Sequence, residues 1–433
     1  MTKKQTSHKL TLIALLFAIL AGLFTNKNTV LLGVNVYGLY DFIGTIFLNG
    51  LKMLSVPLIV TSIISGIVSI GTEKNIGKMG IKTMLYYLTT CILAVLVGIV
   101  LINIFEPGYD PHLLTEQDQA IKEKMAVLFS NVEAANTNYF YNIFYKLVPS
   151  NIFYAASNGD LLGLIMFSLF FGYFTLHLES TQKEVLTNFW NASFGVIMLF
   201  TMWFLRFTPI GVFGLVAKSV AETGASTFLP VIKFFFTVLL ALGIHTFIIL
   251  SLLLYYYGKI NPWLHFKTML PVLLTAFSTS SSSASLPMAM ECVEKDAGVS
   301  NKTSSFVLPL GTAINMNGTA LYEGMAAIFI AQTYGINLGL DKQLLVLVIA
   351  LVTSVGVAGI PSASLVAIPI ILTAIGIPME AIGIIMVTDR VLDMFRTAVN
   401  VYSDTCGAVI IASRSGEDNL HVRRRSINKK IEC

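Results

Sequence analysis

Residues 268–295 read TMLPVLLTAFSTSSSSASLPMAMECVEK, an apolar segment that breaks into a run of serines and then becomes apolar again. Each apolar half is too short to cross a membrane, which takes about 20 residues of helix. The same design recurs at 343–378, QLLVLVIALVTSVGVAGIPSASLVAIPIILTAIGIP, around a Gly/Ser/Pro cluster. Backbone that breaks at membrane depth is tolerated only where protein or a water-filled cavity satisfies its polar groups. We therefore predict two re-entrant helical hairpins beside an internal polar site.

The composition of the 433-residue chain is that of an integral membrane protein. Hydrophobic residues make up 55% of it and charged residues 12%, whereas soluble domains have about 25% charged residues. Six apolar helical runs precede the first interrupted segment, at 10–26, 41–71, 82–105, 150–178, 185–222 and 228–258. No soluble domain is predicted, and the polar link at 107–149 is interpreted as an extracellular loop.

Basic residues are concentrated at the two ends of the chain. Lys3 and Lys4 precede the first apolar run, HVRRRSINKK occupies 421–430, and the acid-rich segment is 105–119. Because cytoplasmic segments carry the excess of lysine and arginine, both termini are predicted to be cytoplasmic. The basic tail at 415–433 is then a cytoplasmic anchor, with no nucleic acid as partner. A signal peptide is the alternative for the first run, but no convincing small-residue cleavage site follows it.

The reactive side chains of the sequence do not form a catalytic set. The serine run at 280–283 lacks the Gly-x-Ser-x-Gly setting of a nucleophile, and the six histidines lie elsewhere with no evident pairing. The four cysteines have no paired spacing, so they predict neither a disulfide framework nor a metal site. A flexible linker is another alternative for the serine run, but the flanking LLTAF and LPMAM argue against it.

The last apolar segment carries an unusual number of charges. Residues 386–412 read MVTDRVLDMFRTAVNVYSDTCGAVIIA and include Asp389, Arg390, Asp393, Arg396 and Asp404. A charge at the centre of a bilayer costs a few kcal/mol, so such residues indicate a function. At about 100° per residue, one helical stripe collects the polar residues. Its members are Asp389, Asp393, Arg396, Thr397, Asn400 and Asp404.

This stripe has the groups needed to hold an amino acid with an additional acidic group. Asp393 can pair with a substrate ammonium, and Arg396 can hold a carboxylate with two parallel hydrogen bonds. Asn400 and Asp404 offer hard oxygen atoms to a metal cation. The alternative is a structural ladder of ion pairs between neighbouring helices.

The preceding helical segment, GTAINMNGTALYEGMAAIFIAQ at 311–332, contains a stretch that disfavours helix. Asn-Met-Asn-Gly-Thr predicts a local unwinding that exposes carbonyl groups, and Asn315 would then face the same cavity as Asn400. Glu323 lies about two turns beyond Asn315 and is a candidate proton carrier. Its alternative role is to pair with Arg390 or with a backbone amide.

Four ordered motifs carry a resemblance to a known family. They are TSSSSASLP in the first hairpin, NMNGTALYE in the broken helix, GVAGIPSAS at the second tip, and D-x-x-x-D-x-x-R-T-x-x-N-x-x-x-D in the last helix. Residues 148–174 also look like the fourth-helix region of that family. Over nearly its whole length, the chain resembles the dicarboxylate/amino acid:cation symporters, which include the glutamate/aspartate and excitatory amino acid transporters.

The resemblance implies an all-α polytopic membrane fold of the glutamate-transporter type, with inverted repeats. It comprises eight transmembrane helices and two re-entrant hairpins that work as an elevator. Residues 1–265 would hold six transmembrane helices, of which the second, fourth and fifth largely form the scaffold of a homotrimer in the lipid bilayer. The third and sixth would move with a transport core at 266–414. That core divides into a hairpin at 266–296, a broken helix at 302–334, a hairpin at 342–375 and the last helix at 376–414.

The resemblance also implies a substrate site. Asp393 would bind the amino group of the substrate and Arg396 its side-chain carboxylate. Two segments would take the α-carboxylate, the serine run Ser281, Ser282 and Ser283 and the loop Val357, Ala358 and Gly359. Thr319, Thr397 and Asn400 complete the implied set.

Two sodium sites are implied as well. The deep site would use Gly311, Asn315, Asn400 and Asp404. The second would use carbonyl groups near Ile314, Met316 and Val357. No catalytic residue is implied.

The chain departs from the family at positions that concern ion coupling. Of a third sodium site, Tyr87 and Thr90 remain, but Cys91 stands in place of a serine and Asn317 in place of an aspartate. An amide brings no charge to a desolvated cation, so this degenerate remnant is predicted to stay empty.

Glu323, by contrast, matches the glutamate that carries the proton in the animal transporters. Members of the family have an additional arginine at one of two positions, which are occupied here by Met394 and Ser280. Arg390 could supply such an arginine, but its position does not match either of them. Counter-transport of K⁺ therefore lacks support.

We predict a symporter, not an enzyme, that imports L-glutamate and/or L-aspartate across the plasma (inner) membrane with Na⁺ and H⁺. A substrate with two carboxylates and one ammonium needs cations to neutralise it before it crosses, and inward movement of those cations drives accumulation. The alternatives are a purely proton-coupled carrier and, as a different class, an anion channel or receptor on the same fold.

Overall fold

The computed structural model describes residues 3–26, 28–31, 33–72, 77–109, 148–158, 161–223, 228–356, 364–417 and 420. This part of the chain is predominantly helical. A short antiparallel ribbon accompanies the helices, in which β1 (Val30–Leu31) pairs with β2 (Val34–Asn35). Three predicted features lie outside the described residues: the second tip at 357–359, most of the acid-rich segment, and the basic stretch at 421–430.

The described residues up to 223 include seven α-helices. They are α1 (Lys3–Leu23), α2 (Val36–Thr72), α3 (Gly77–Phe105), α4 (Ile152–Asn158), α5 (Leu161–Thr175), α6 (Ser180–Phe204) and α7 (Thr208–Thr223). The run predicted at 185–222 is divided, because a 3₁₀ turn at Leu205–Phe207 separates α6 from α7. Pro209 stands in the first turn of α7, and proline is tolerated there because the first amides of a helix have no partner inside it.

The run predicted at 228–258 is one continuous rod with two π-helical segments. α8 (Phe228–Ile244) continues into a π-helix at His245–Leu250, a turn of α-helix at Ser251–Leu253, and a second π-helix at Leu254–Gly258. π-Helical segments are rare and occur frequently at functional sites. The first segment places His245 in the protein interior.

The described residues from 262 onward include seven further α-helices. They are α9 (Pro262–Thr279), α10 (Ser282–Lys295), α11 (Asn301–Ile314), α12 (Asn317–Thr333), α13 (Leu340–Gly356), α14 (Ser364–Ala374) and α15 (Met386–Arg414). A 3₁₀ helix at Met379–Ile384 precedes α15. Residues 317–332 of α12 are all buried, so this helix lies at the centre of the protein.

α9 and α10 pack against each other as a helical hairpin around the serine run. Ser280 ends α9 in the left-handed conformation, with φ +46°, and turns the chain. The Ser281 hydroxyl then accepts a hydrogen bond of 3.3 Å from the Ala284 amide and caps α10. Across the hairpin, Thr275 Oγ lies 3.1 Å from Met288 Sδ. The serines thus form a compact turn between two helices.

The helix break lies where the sequence predicts unwinding. Asn315 and Met316 have ψ values of 72° and 52° and separate α11 from α12. The carboxamide oxygen of Asn400, on α15, accepts hydrogen bonds from the amides of Gly318 (2.8 Å) and Thr319 (3.4 Å). Asn400 therefore satisfies amide groups that the start of α12 would otherwise leave without partners.

The helices pack in two groups. α1, α2, α5, α6 and α7 contact one another, with α1 against α7 and α2 against α5, α6 and α7. α3 and α8 instead pack on α12 and α15, together with the hairpin and the broken helix. Within the described part of the chain, two helices are long and apolar enough to cross a membrane by length and composition, Met79–Phe105 and Leu229–Gly258, and both belong to this second group.

Candidate functional site

The polar stripe predicted on the last helix is buried. Asp389, Asp393, Arg396, Asn400 and Asp404 on α15 all have less than a tenth of their surface exposed. They face the first hairpin, the helix break and the start of α14. The structure thus encloses a row of charges within the protein.

Arg396 is held from four directions. Its guanidinium lies 2.9 Å from Asp393 and 3.1 Å from Asp389, and it donates a 2.9 Å hydrogen bond to Ser364 Oγ at the start of α14. The ring of Tyr322 lies 3.9 Å from its central carbon, a cation–π contact. Nε makes no hydrogen bond within the described part of the chain. With 1% of its surface exposed, Arg396 keeps its charge by this pairing.

Arg390 extends this set of ion pairs, and we call the four residues Asp389, Arg390, Asp393 and Arg396 the ladder. It lies 3.1 Å from Asp393 and donates a 3.3 Å hydrogen bond to Ser280 Oγ at the hairpin tip. Asp393 is therefore shared by two guanidinium groups. The two arginines balance Asp389 and Asp393, so the ladder is neutral in total.

This arrangement bears on the alternative of a structural ladder between neighbouring helices. The described ion pairs join residues of the same helix, and the hydroxyl groups of Ser280 and Ser364 and the ring of Tyr322 contact them from outside it. In the described residues, no acid or base from another helix completes the ladder. The described charges of the stripe therefore pair with one another along a single helix.

The hairpin tip presents a helix N-terminus to this ladder. Ser281 and Ser282 are buried at the start of α10, whereas Ser283 is exposed. The first amides of a helix attract anions. Thr397 is buried beside Asp393, and its hydroxyl donates a 2.8 Å hydrogen bond to the Asp393 carbonyl.

A second polar group lies one to two turns further along α15. The Asn315 amide donates to Asp404 (2.8 Å) and to Ser403 Oγ (3.0 Å). A Cβ atom at Gly311 would collide with the Asp404 carboxylate and lie 2.7 Å from the Tyr87 hydroxyl. Gly311, Asn315 and Asp404, three of the four predicted ligands of the deep sodium site, therefore lie together around a buried carboxylate, whereas the fourth, Asn400, bonds to Gly318 and Thr319.

Among the residues predicted as the remnant of a third sodium site, Cys91 and Asn317 contact each other. Cys91 Sγ lies 2.7 Å from the Asn317 carboxamide oxygen. The Asn317 nitrogen donates to Ser403 Oγ at 2.6 Å and lies 3.3 Å from His245 Nε2. Thr90 Oγ is 3.3 Å from Asn315, and the Tyr87 hydroxyl donates to the Val307 carbonyl at 2.7 Å. Neutral side chains thus saturate this position with hydrogen bonds.

Glu323 is fully buried on α12. Its carboxylate accepts a 3.0 Å hydrogen bond from Thr353 Oγ on α13. Arg390 pairs with Asp393 instead, so the alternative that Glu323 is the partner of Arg390 is wrong.

Sequence reasoning did not assign five residues of this site: Tyr322, Ser364, Ser403, His245 and Thr353. Each approaches its partner from another helix, at separations of 25 to 86 residues for the hydrogen bonds. The only local signals were weak. Ser364 ends the GIPSAS motif, and His245 is a polar residue in an apolar run.

The fold and site together define a class of protein. A helical chain with interrupted apolar segments, a broken central helix and an enclosed charged site has the design of a secondary transporter. Residues 8–414 match the model of the sodium:dicarboxylate symporter family, and the chain belongs to that family. It is therefore a membrane-embedded transporter and not an enzyme, as predicted.

Individual relatives support this assignment. The chain is 34% identical over 380 residues to the proton/sodium-glutamate symport protein of Geobacillus stearothermophilus, covering 87% of this chain and 88% of that protein. It is 32% identical over 403 residues to the proton/glutamate-aspartate symporter of Escherichia coli K12, with 93% and 91% covered. Excitatory amino acid transporter 1 of Ambystoma tigrinum is 33% identical over 421 residues, with 86% and 76% covered.

Proposed function

We propose that the chain imports L-glutamate and/or L-aspartate across the plasma membrane together with Na⁺ and H⁺. The observation that carries this proposal is the neutral ladder on α15, in which Arg396 and Asp393 pair with each other at 2.9 Å beside the hairpin tip. An acidic amino acid has the complementary groups for both. The family and the names of the relatives agree with such a substrate.

Substrate binding exchanges the partners of the ladder. The substrate ammonium takes the place of a guanidinium beside Asp393, and the side-chain carboxylate takes the place of Asp393 beside Arg396. The α-carboxylate binds at the N-terminus of α10, near Ser281 and Ser282, and the resemblance to the family adds Val357, Ala358 and Gly359 as further contacts. Thr319, Thr397 and Asn400 provide hydrogen-bonding groups around the amino acid.

Co-transported Na⁺ binds next to this site. Gly311, Asn315, Asn400 and Asp404 hold the deep sodium ion, and Asp404 supplies the charge. The second ion uses carbonyl groups near Ile314, Met316 and Val357 under the second tip.

The remnant of the third sodium site takes no Na⁺. Its Asn317 bonds instead to the side chains of Cys91 and Ser403. The test is Asn317→Asp, which restores a carboxylate. An increase in the Hill slope for Na⁺ supports the proposal, and an unchanged slope contradicts it.

The packing of the helices supports an elevator mechanism. α3 and α8 pack on the core of hairpin, broken helix and α15, whereas α2, α5, α6 and α7 pack with one another. The first set is the moving transport domain, and the second is the scaffold of a homotrimer. In this arrangement the molecule has eight spanning helices, two re-entrant hairpins and cytoplasmic termini.

Radiolabelled L-aspartate uptake into proteoliposomes tests the coupling. Na⁺ and pH gradients are imposed separately and together, and Glu323→Gln serves as the matched variant. The proposal requires an inward Na⁺ gradient, with a further increase from acid outside that Glu323→Gln abolishes while exchange persists. If acid outside suffices without Na⁺, the sodium assignments are wrong and the chain is a purely proton-coupled carrier.

A further inference from the structure

We propose that Thr353 is the positioning residue that allows Glu323 to be buried both with and without its proton. This inference rests on the proposed role of Glu323 as proton carrier. It assigns to the first helix of the second hairpin a direct part in proton coupling. The proposal stands on the hydrogen bond between α12 and α13 and on the chemistry of a hydroxyl group.

The two side chains that form this hydrogen bond, Glu323 and Thr353, are both buried. Glu323 has 0% and Thr353 has 1% of its surface exposed. Thr353 Oγ lies 3.0 Å from Glu323 Oε2 and 2.8 Å from the carbonyl of Ile349, one turn earlier on α13. The other carboxyl oxygen, Oε1, has no hydrogen-bond partner within the described residues. Thr353 is thus the described side chain that hydrogen-bonds this carboxyl group.

A hydroxyl group can serve both protonation states because it donates one hydrogen bond and accepts others. When Glu323 is charged, the Thr353 proton points to Oε2. When Glu323 is protonated, its own O–H donates to Thr353 Oγ, and the Thr353 proton turns to the Ile349 carbonyl. Each state keeps a complete hydrogen bond, and no heavy atom has to move. A buried carboxyl group without such a partner would be strongly biased to its neutral form.

Two charged groups act on Glu323, Arg396 and Asp389, and both lie on α15. These two groups are themselves paired at 3.1 Å. Val95 on α3, Ala320 on α12 and Leu347 on α13 form an apolar cluster, and Ala320 lies one turn before Glu323. Among the described residues, Thr353 therefore supplies the hydrogen bond that decides the balance.

The test compares the pH dependence of aspartate uptake in proteoliposomes for Thr353→Val, Thr353→Ala and Thr353→Ser. Valine and alanine remove the hydrogen bond from both forms of Glu323, but the bond to the charged carboxylate is roughly twice as strong as the bond to the neutral form, and the difference corresponds to about one pH unit of proton affinity. Hence the pH of half-maximal uptake should rise by that amount in both variants. Serine retains the hydroxyl and should keep the wild-type profile.

Two controls accompany these variants. Thr373 lies in the other helix of the same hairpin and bonds only to its own helix in the described structure, at 2.8 Å to the Pro369 carbonyl. Thr373→Val should therefore leave the pH profile unchanged. In a Glu323→Gln background, Thr353→Val should have no further effect on pH dependence, because the titrating group is gone.

The outcomes separate this inference from the proposed function. Absence of aspartate uptake by the wild type under combined Na⁺ and pH gradients contradicts the proposed function. If the wild type transports and Glu323→Gln abolishes its pH dependence, an unchanged profile in Thr353→Val and Thr353→Ala overturns the inference alone. A shifted profile in Thr353→Ser would overturn it too, and that variant keeps the test decisive if the larger changes impair folding.

Discussion

At the scale of single residues, the site depends on charges that have no access to bulk water. Arg396, Arg390, Asp389 and Asp393 are buried, and each is tolerated because a partner lies within 3.1 Å. Removing one member of such a pair leaves the other buried and uncompensated. Substitutions in this ladder therefore affect both folding and selectivity, and conservative controls are needed.

Arg396→Cys should exchange acidic for neutral substrates. The guanidinium is the cation that matches a second carboxylate, and its loss should lower aspartate uptake on the order of 100-fold, the equivalent of a charged hydrogen-bonded contact. Competition of labelled uptake by aspartate and by serine measures the change. Arg396→Lys, which keeps the charge but not the paired geometry, should retain a preference for acidic substrates. Aspartate uptake that is unchanged in the cysteine variant would remove Arg396 from the substrate site.

At the scale of elements, the break between α11 and α12 is held against α15 by close contact. A Cβ at Gly318 would lie 2.7 Å from the Arg396 carbonyl oxygen and 3.0 Å from its Cα. Both atoms belong to the backbone of α15 and cannot move aside as a flexible side chain can. The start of α12 can reach Asn400 only because residue 318 has no side chain.

Gly318→Ala should therefore separate the two helices. We expect a lower Tm of the purified protein and a loss of uptake, since the capping bonds of Asn400 to α12 would lengthen. Gly243→Ala on α8 is the matched control, because no atom lies within 4 Å of the added methyl group. The packing argument is wrong if both variants have the same Tm as the wild type.

The segment that follows α15 contacts the start of α11 through Glu417. Its carboxylate accepts hydrogen bonds from the Ser300 amide (2.8 Å), the Ser300 hydroxyl (2.7 Å) and the Thr303 hydroxyl (2.6 Å), at the N-terminus of α11. Partial burial alone would raise the pKa of Glu417, but the hydrogen bonds from Thr303 and Ser300 outweigh it and lower the pKa.

A lowered pKa in the folded state means that the charged carboxylate stabilises the fold. This contribution is fully present above the ordinary glutamate pKa of 4.5 and is lost as the pH falls through the lower folded-state value. Glu417→Gln should thus lower Tm at neutral pH. The difference in Tm between the variant and the wild type should shrink as the pH falls below the ordinary glutamate pKa of 4.5. The exposed Glu179, changed to Gln, provides the control. A Tm difference that does not vary with pH would exclude a role for the charge.

At the scale of the whole molecule, the proposed coupling moves charge. An acidic amino acid brings one net negative charge, whereas the two sodium sites and Glu323 bring a larger positive charge. At ~2.3 kcal/mol per charge per 100 mV, an inside-negative potential should accelerate uptake.

A K⁺ diffusion potential set with valinomycin measures this effect in proteoliposomes. Uptake should increase when the interior is negative and decrease when it is positive. If uptake is insensitive to the potential, the cations and the substrate must cancel, and at least one cation site is assigned wrongly.

Much of the design could be predicted because it is local. The interrupted apolar segments, the stripe on α15 and the break at Asn315 follow from helical period, segment length and helix propensity, which depend on near neighbours in sequence. The division of the run at 185–222 was missed because apolar residues flank it on both sides, and Pro209 was the only local indication.

The sequence by itself thus determined the membrane class, the interruption at the serine run and the row of charges on one face of the last helix. Only the tertiary structure decided the partners: Arg390 with the hairpin tip at Ser280, His245 with Asn317, and Thr353 with Glu323. The physical reason is that a hydrogen bond between helices depends on how the helices pack. Two side chains 30 to 110 residues apart in sequence meet only after the backbone between them has folded.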